Sequence, residues 1–452
     1  MTDAALALHA IRGDRREITG WMMYDWANSA FSTTVVTALL GPYLAGIART
    51  VGGVRLGNFT FEPDAFFPTC VSISVVLQVL FLPLLGTLAD YSALKKRLLL
   101  TCAFIGSIAT ISLFFIYVDM PLLGTNGGVL LAGLLFIIAN LAFGAAMVFY
   151  NGFLPDIAAP QDRDRVSSQG WALGYLGGGI LLALNLVMIQ MMADTALAVR
   201  LSLASAGLWW LVFTLLFPAR HLRQRPPLKT LPPGVGYFRQ GIRQIMQTLG
   251  EIRHKYPETL RYLIAYLVYN DGIQTVIVVS TLFATTELKA TPNMLIILVL
   301  LIQFVAFGGA LVFGWMATRL GAKRSIVISL VIWSLIAIAA YAVLYEMWQL
   351  YVLGIGVAIV LGGSQALSRS LYSQIIPRQN ESEYFGFYEI SERGTSWVGP
   401  LVFAAAVQLT GSTRVAVLSV ILFFVVGLVL LLPVNVRKAM LDAGNNPEGV
   451  VL

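Results

Sequence analysis

The sequence predicts an all-α integral membrane protein of twelve spanning helices, built as two pseudo-symmetric six-helix halves. Three observations predict it. The 452-residue chain is 58% hydrophobic and only 12% charged, with a mean hydropathy of +0.78. Soluble domains carry about 25% charged residues, so this chain cannot supply a polar skin, and most of it is solvated by lipid. Twelve apolar runs are long enough to cross a bilayer, which takes about 20 residues. The two halves also repeat each other's motifs in the same order.

The runs cover 20–48, 66–89, 98–118, 128–154, 168–192, 198–217, 259–285, 293–316, 325–344, 348–375, 384–409 and 414–434. The eleventh is the least apolar, because it holds Glu389, Glu392 and Arg393. With the N-terminus in the cytoplasm, 22 Lys and Arg residues fall in inner segments and 5 (Arg49, Arg55, Arg200, Lys289, Arg414) in outer ones. This is the bias that orients membrane proteins. It predicts a multi-pass protein of the inner (cytoplasmic) membrane with both termini cytoplasmic. The run after Arg12, Arg15 and Arg16 is too long for a signal peptide and lacks a small-x-small exit, so it is expected to stay as a helix.

The net charge of +7 sits in these short loops, which argues against nucleic acid as a partner. Cys70 and Cys102 both lie inside apolar runs and read as packing residues. His9, His221 and His254 lie in the N-terminal tail and the central loop. No metal-ligand set and no nucleophile–base arrangement stands out, so neither enzyme chemistry nor a cofactor is expected.

The longest internal loop divides the chain into residues 1–217, 218–258, 259–434 and a tail 435–452. It opens with the proline-rich "RQRPPLKTLPPG". Phe238, Ile242, Ile245, Leu249 and Ile252 then recur at helical spacing, with Arg239, Arg243 and Arg253 on other faces. This pattern predicts an amphipathic helix on the inner membrane surface; the alternative is a helix packed on the bundle ends.

The repeat is legible in three places. "YDWANSAFSTTVV" from Tyr24 aligns without gaps to "YLVYNDGIQTVIV" from Tyr266. "YNGFLP" (150–155) matches "YSQIIP" (372–377), and Gly170 and Gly386 open similar segments. The loops "GTLADYSALKKR" (86–97) and "GWMATRLGAKR" (314–324) also correspond. Two six-helix halves related by an axis along the membrane normal form the architecture of major facilitator transporters. Both loops resemble that superfamily's signature, a glycine followed by Asp, Gly and a basic cluster. Gly86, Asp90, Lys95, Lys96 and Arg97 form the first copy, and Gly314, Arg319, Gly321, Lys323 and Arg324 the second, in which Thr318 replaces the Asp. A carboxylate there can cap a neighbouring helix and hold the cytoplasmic side closed.

"YDWANSAFSTTV", "RVSSQGWALGYLGGG" (165–179) and "YNDGIQTV" (269–276) resemble the hallmarks of a narrower group, the vacuolar amino-acid effluxer (autophagy-related) proteins and their bacterial relatives. The resemblance spans nearly the whole chain. It implies a secondary transporter, and the eukaryotic relatives are associated with export of neutral amino acids.

Ionisable groups inside a bilayer are costly and mark candidate pathways. Asp25, Asn28 and Ser29 lie in the first run, and Asn270, Asp271 and Gln274 in the seventh. Arg369 lies in the tenth and Glu389, Glu392 and Arg393 in the eleventh. Glu389 and Arg393 are spaced to pair on one face. Asp271 with Arg369 or Arg393 offers both charges that a zwitterion needs, Glu392 can pair with Arg369 or titrate, and polar faces of the first and seventh helices are expected to converge on the axis. The expected function is proton-coupled export of a small polar or zwitterionic solute by a monomer whose partners are its substrate, the coupling proton and lipid. The alternatives are a lipid or hydrophobic-drug flippase and a non-transporting membrane sensor or assembly factor. The glycine run "GYLGGG" lacks the Lys-Ser/Thr of a phosphate loop and reads as a close-packing seam.

Overall fold

The computed structural model describes residues 13–121, 123–227, 237–393 and 398–452. Eleven of its helices are long and apolar enough to cross a membrane. They are α1 (Arg15–Thr50), α2 (Pro63–Tyr91), α3 (Lys95–Phe115), α4 (Gly124–Ile157), α5 (Pro160–Met191) and α6 (Thr195–His221), then α7 (Pro257–Thr285), α8 (Met294–Leu320), α9 (Ala322–Val343) and α10 (Met347–Ile375), and finally the span Arg414–Leu431. The eleventh predicted run is two shorter helices, α11 (Glu381–Arg393) and α12 (Val398–Thr410), either side of residues outside the description. The span Arg414–Leu431 is α13.

α1 starts five residues earlier than the apolar run does. Asp14 caps it, accepting a hydrogen bond from the Arg16 amide (2.9 Å). Asp25 is therefore ten residues into the helix, about 15 Å at 1.5 Å per residue, deeper than its place in the run suggests. Phe31–Leu39 winds as a π-helix within α1, a geometry that recurs at functional sites. A two-stranded hairpin, Val54–Leu56 with Phe59–Phe61, joins α1 to α2. Its Gly57 has positive φ.

One apolar core runs through α1–α6 and a second through α7–α13. The halves meet where α2 lies against α11, α5 against α8 and α10, and α4 against α11. α5 also packs along α1, and its glycines explain how closely. A β-carbon on Gly170 would lie 2.7 Å from Asp25 Oδ2, on Gly178 2.6 Å from Thr33 Oγ1, and on Gly177 2.7 Å from the Trp26 carbonyl oxygen. Only the last neighbour is rigid backbone. Gly177→Val is accordingly expected to destabilise the protein by about 1–3 kcal/mol, the usual cost of overpacking; an unchanged Tm would show that α1 and α5 separate freely.

The helix predicted in the linker is present at Tyr237–His254.

Candidate functional site

The central cluster is an ion pair between the halves. Arg369 of α10 is 1% exposed and Asp25 of α1 is 4% exposed. Both terminal guanidinium nitrogens of Arg369 donate to Asp25 Oδ2 at 3.2 Å, and the Tyr150 hydroxyl of α4 donates to the same oxygen at 2.6 Å. Arg369 also donates through Nε to Ser167 Oγ and through Nη2 to the Ser167 carbonyl, each at 2.9 Å. The rings of Trp21 (4.8 Å), Tyr150 (5.4 Å) and Trp171 (5.4 Å) surround the guanidinium carbon, within cation–π range. Trp21 and Tyr150 are themselves stacked, and Trp21 Nε1 donates to the Tyr150 carbonyl.

This pairing corrects two expectations. Arg369 pairs with Asp25, a partner that the expected Asp271–Arg369 charge set did not include. The polar residues of α1 and α7 also do not face one another: Asn28 donates to the Met147 sulfur of α4, and half-buried Ser29 lies beside Gly174 of α5. On α7, Asn270 Nδ2 donates to the Glu392 carbonyl (2.9 Å), while Asp271 accepts from the Gly399 amide. Asp271 is 2% exposed, and its Oδ1 accepts no hydrogen bond among the described residues. Gln274, one turn on, is half-buried. The cause is geometric. Each half's first helix packs chiefly within its own half, α1 along α5 and α6 and α7 along α13, with Trp21 stacked on Tyr150 and Tyr262 on Tyr372.

The α11 carboxylates divide. Glu389 is fully buried and accepts from Asn151 Nδ2 of α4 at 2.8 Å, a bond between the halves. Glu392 lies close enough to Tyr175, Tyr266 and Tyr388 for its charge to act on their phenols. The Arg393 side chain, expected to pair with Glu389, lies outside the described residues.

Both described termini lie at one end of the bundle, and there the halves are latched. Asp90 Oδ1 and Oδ2 accept from the amides of Ser382 (3.1 Å) and Glu383 (2.9 Å) at the start of α11. Lys95 reaches Asp156 at 3.1 Å and Glu381 at 3.8 Å. Lys96 takes part through its backbone, donating to Gln224, and Arg97 is exposed. A polar cavity of about 420 Å³ here is lined by Asp90, Lys95, Asp156, Arg225, Arg378 and Glu381, among others. Burial, with Asp156 next, pushes the Glu381 carboxyl up to about 8 against the opposing pull of Lys95.

The second loop copy is built differently. Lys323 donates to the carbonyls of Leu432 (2.7 Å) and Val434 (2.8 Å), inside its own half. Thr318 bonds within its helix, Arg319 lies over Trp315 at 4.2 Å, and Arg324 is exposed. Gly321, at φ 86°, lets the chain turn into α9. Gly314 touches the other half, packing on Ser168. Among the described residues the charge network therefore exists once.

Several residues of the interface were missed by sequence reading. Ser370 and Gln374 of α10 donate to Asp164 of α5. Arg163 donates to the Ser373 carbonyl (2.6 Å), and Tyr175 to Gln365. Tyr150, Ser167, Trp171 and Tyr175 all lay in quoted motifs, but as repeat markers without an assigned partner. A separate, apolar cavity of about 680 Å³, counting its open mouth, lies among α7, α8, α9, α10 and α13.

The arrangement can bind opposite charges at its centre and close one end. A model of proteins described as "Vacuole effluxer Atg22 like" matches residues 13–444. The chain is 32% identical over 422 residues to the MFS-type transporter YxiO of Bacillus subtilis (strain 168), covering 92% of this chain and 94% of that one. It is 26% identical over 552 residues to autophagy-related protein 22-1 of Penicillium rubens (95% and 91%). Among solved structures, a bacterial homologue of the iron transporter ferroportin in its outward-facing state shares the fold at TM-score 0.64 and 15% identity, over 92% and 98% of the chains. The transporter FucP, in its outward conformation, does so at 0.64 and 14%, over 92% and 97%.

Proposed function

The chain belongs to the Atg22-like vacuole effluxer family, and from that membership we propose that it exports a small zwitterionic solute, neutral amino acids first, in exchange for protons. It is a major facilitator transporter; solute, direction and coupling are the proposal. The observation that carries it is the Asp25–Arg369 pair, buried between halves that must separate in every cycle. Opening such a pair alone leaves two uncompensated buried charges, which costs several kcal/mol. A zwitterion brings the same two charges. Its carboxylate takes Asp25's place on the Arg369 fork, and its ammonium takes Arg369's place on Asp25. The aromatic walls can cover its side chain.

Export follows from the family. The basic loops make the latched end cytoplasmic, so the state described here is closed on the cytoplasmic side. Asp271, buried with an oxygen that accepts no hydrogen bond among the described residues, is the proposed proton carrier. Counterflow of labelled amino acids in proteoliposomes tests the solute: exchange of at least one neutral amino acid is expected, and failure of all twenty at every pH gradient overturns it. Asp271→Asn is expected to abolish gradient-driven transport yet retain exchange. Normal pumping by that variant removes Asp271 from the role.

A second reading, export or flipping of an apolar solute, is favoured by the apolar cavity of the C-terminal half. Transbilayer movement of labelled lipid in the same vesicles distinguishes it.

A further inference from the structure

The linker helix Tyr237–His254 buries a row of polar residues, Gln240, Gln244 and Thr248, and near its end Ile252, which joins the C-terminal core. Gln240 Nε2 donates to the Tyr91 hydroxyl (3.1 Å), which donates to Gln244 Oε1 (2.7 Å), and Gly241 rests near Leu84. The opposite side carries Ile242, 47% exposed, and Met246, 66% exposed. Arg243 and Arg253 are exposed as well. At 100° per residue, Arg253 falls between Ile242 and Met246, and Arg243 within 60° of Met246. Apolar and basic residues thus share one outward face. Pro257 begins the spanning helix α7 three residues after this helix ends, which holds it at membrane level.

We propose that this face binds an anionic lipid surface, and that Tyr91 transmits the binding to the latch one residue away at Asp90. A mixed face of apolar and basic residues is the composition that seats a helix in the boundary of acidic headgroups, and the neighbouring arginines draw those headgroups in. A soluble helix would turn Ile242 and Met246 inward. The helix holds the end of α2 through Tyr91, and α2 carries Asp90, which grips the start of α11. Seating the helix therefore fixes one side of the latch. The lipid half of the proposal is independent of the solute; the second half rests on the latch reading.

The test uses the full chain with Cys70 and Cys102 replaced by alanine and an environment-sensitive fluorophore on Met246→Cys. It is placed in nanodiscs of phosphatidylcholine, with or without 30% phosphatidylglycerol. A blue shift and at least twofold quenching by lipid-borne spin label are expected in the anionic discs. Both are lost in Arg243→Gln/Arg253→Gln and reduced at 1 M salt, where screening falls to about 3 Å. A water-like emission in both discs overturns the proposal. Equal quenching in both, untouched by the arginine substitutions, overturns the anionic part. Amide exchange at Ser382 and Glu383 reads the coupling. At least threefold slower exchange is expected in anionic discs, and Tyr91→Phe should erase that difference without changing the fluorescence. Equal exchange rates in both discs overturn the coupling.

Discussion

Arg369→Met is expected to abolish exchange of neutral amino acids and to destabilise the protein by about 3–5 kcal/mol, the cost of leaving one partner of a buried ion pair alone. The side chains of Arg369 and Asp25 are 1% and 6% exposed, so solvent screening relieves little of this. Asp25→Leu should do the same. Fold stability and transport then separate in the double variant Asp25→Leu/Arg369→Met. These replacements come from the internal repeat: Leu267 stands where Asp25 stands in the other half, and Met147 where Arg369 stands. The pair is thus a single, asymmetric charge placed on a symmetric scaffold. Replacing a buried pair by apolar residues is often neutral or stabilising by about 1–4 kcal/mol, so the double variant should melt near the parent. It should still fail to exchange, because no group remains to hold either end of a zwitterion. Thermal shift and counterflow on the same preparations check both. Parental exchange in the double variant removes the pair from the transport path.

The same residues show what was legible in the sequence. Asp25 was visible as a polar residue in an apolar run, and the repeat was visible as aligned motifs, because both are local patterns. Its partner was not, since Arg369 lies 344 residues away and no periodicity encodes which helices cross. The repeat even misled. It equates α1 with α7, and equivalent helices were expected to face each other. Pseudo-symmetry relates positions, whereas contacts follow from packing inside each half, α1 along α5 and α6 and α7 along α13. The glycines of α5 were read correctly as a seam, because a missing Cβ has one main use in lipid-buried helices. For the linker helix the stripe was legible but its anchor was not. That anchor is Gln240 and Gln244 meeting Tyr91, a contact between a loop helix and a helix end. The two loops differ where their sequences do: Asp90 caps the start of α11, whereas the second loop has Thr318 in place of an acid and its Lys323 turns to the carbonyls of Leu432 and Val434.

Gly86→Val is expected to hold the transporter open at its latched end. Asp90 accepts from the first-turn amides of Ser382 and Glu383 at the start of α11, where the helix dipole favours a carboxylate. That grip needs α2 and α11 in backbone contact one turn away. A β-carbon on Gly86 would lie 2.8 Å from the Ser382 carbonyl carbon and 2.9 Å from the Glu383 Cα. Both are backbone atoms that cannot swing aside, so the clash falls on the closed state alone. A penalty of about 1–3 kcal/mol shifts the closed-to-open ratio roughly 5- to 150-fold. Alkylation of Ser373→Cys, buried behind the latch, should accelerate by that factor in a background lacking Cys70 and Cys102. An unaltered rate would mean that the halves separate elsewhere. The latch also carries a pH dependence. Glu381, at the mouth ahead of the spanning segment, sits among Asp156, Lys95, Arg163 and Asp90, and burial, with Asp156 next, pushes its carboxyl from an ordinary 4.5 up to about 8 in this closed state. Closing therefore takes up a proton. Closure is strongest below about 4.5, weakens as the pH rises toward 8, and gains nothing from Glu381 above it. Relative to an exposed control cysteine, Ser373→Cys should grow more reactive across that window, and Glu381→Gln should flatten the trend.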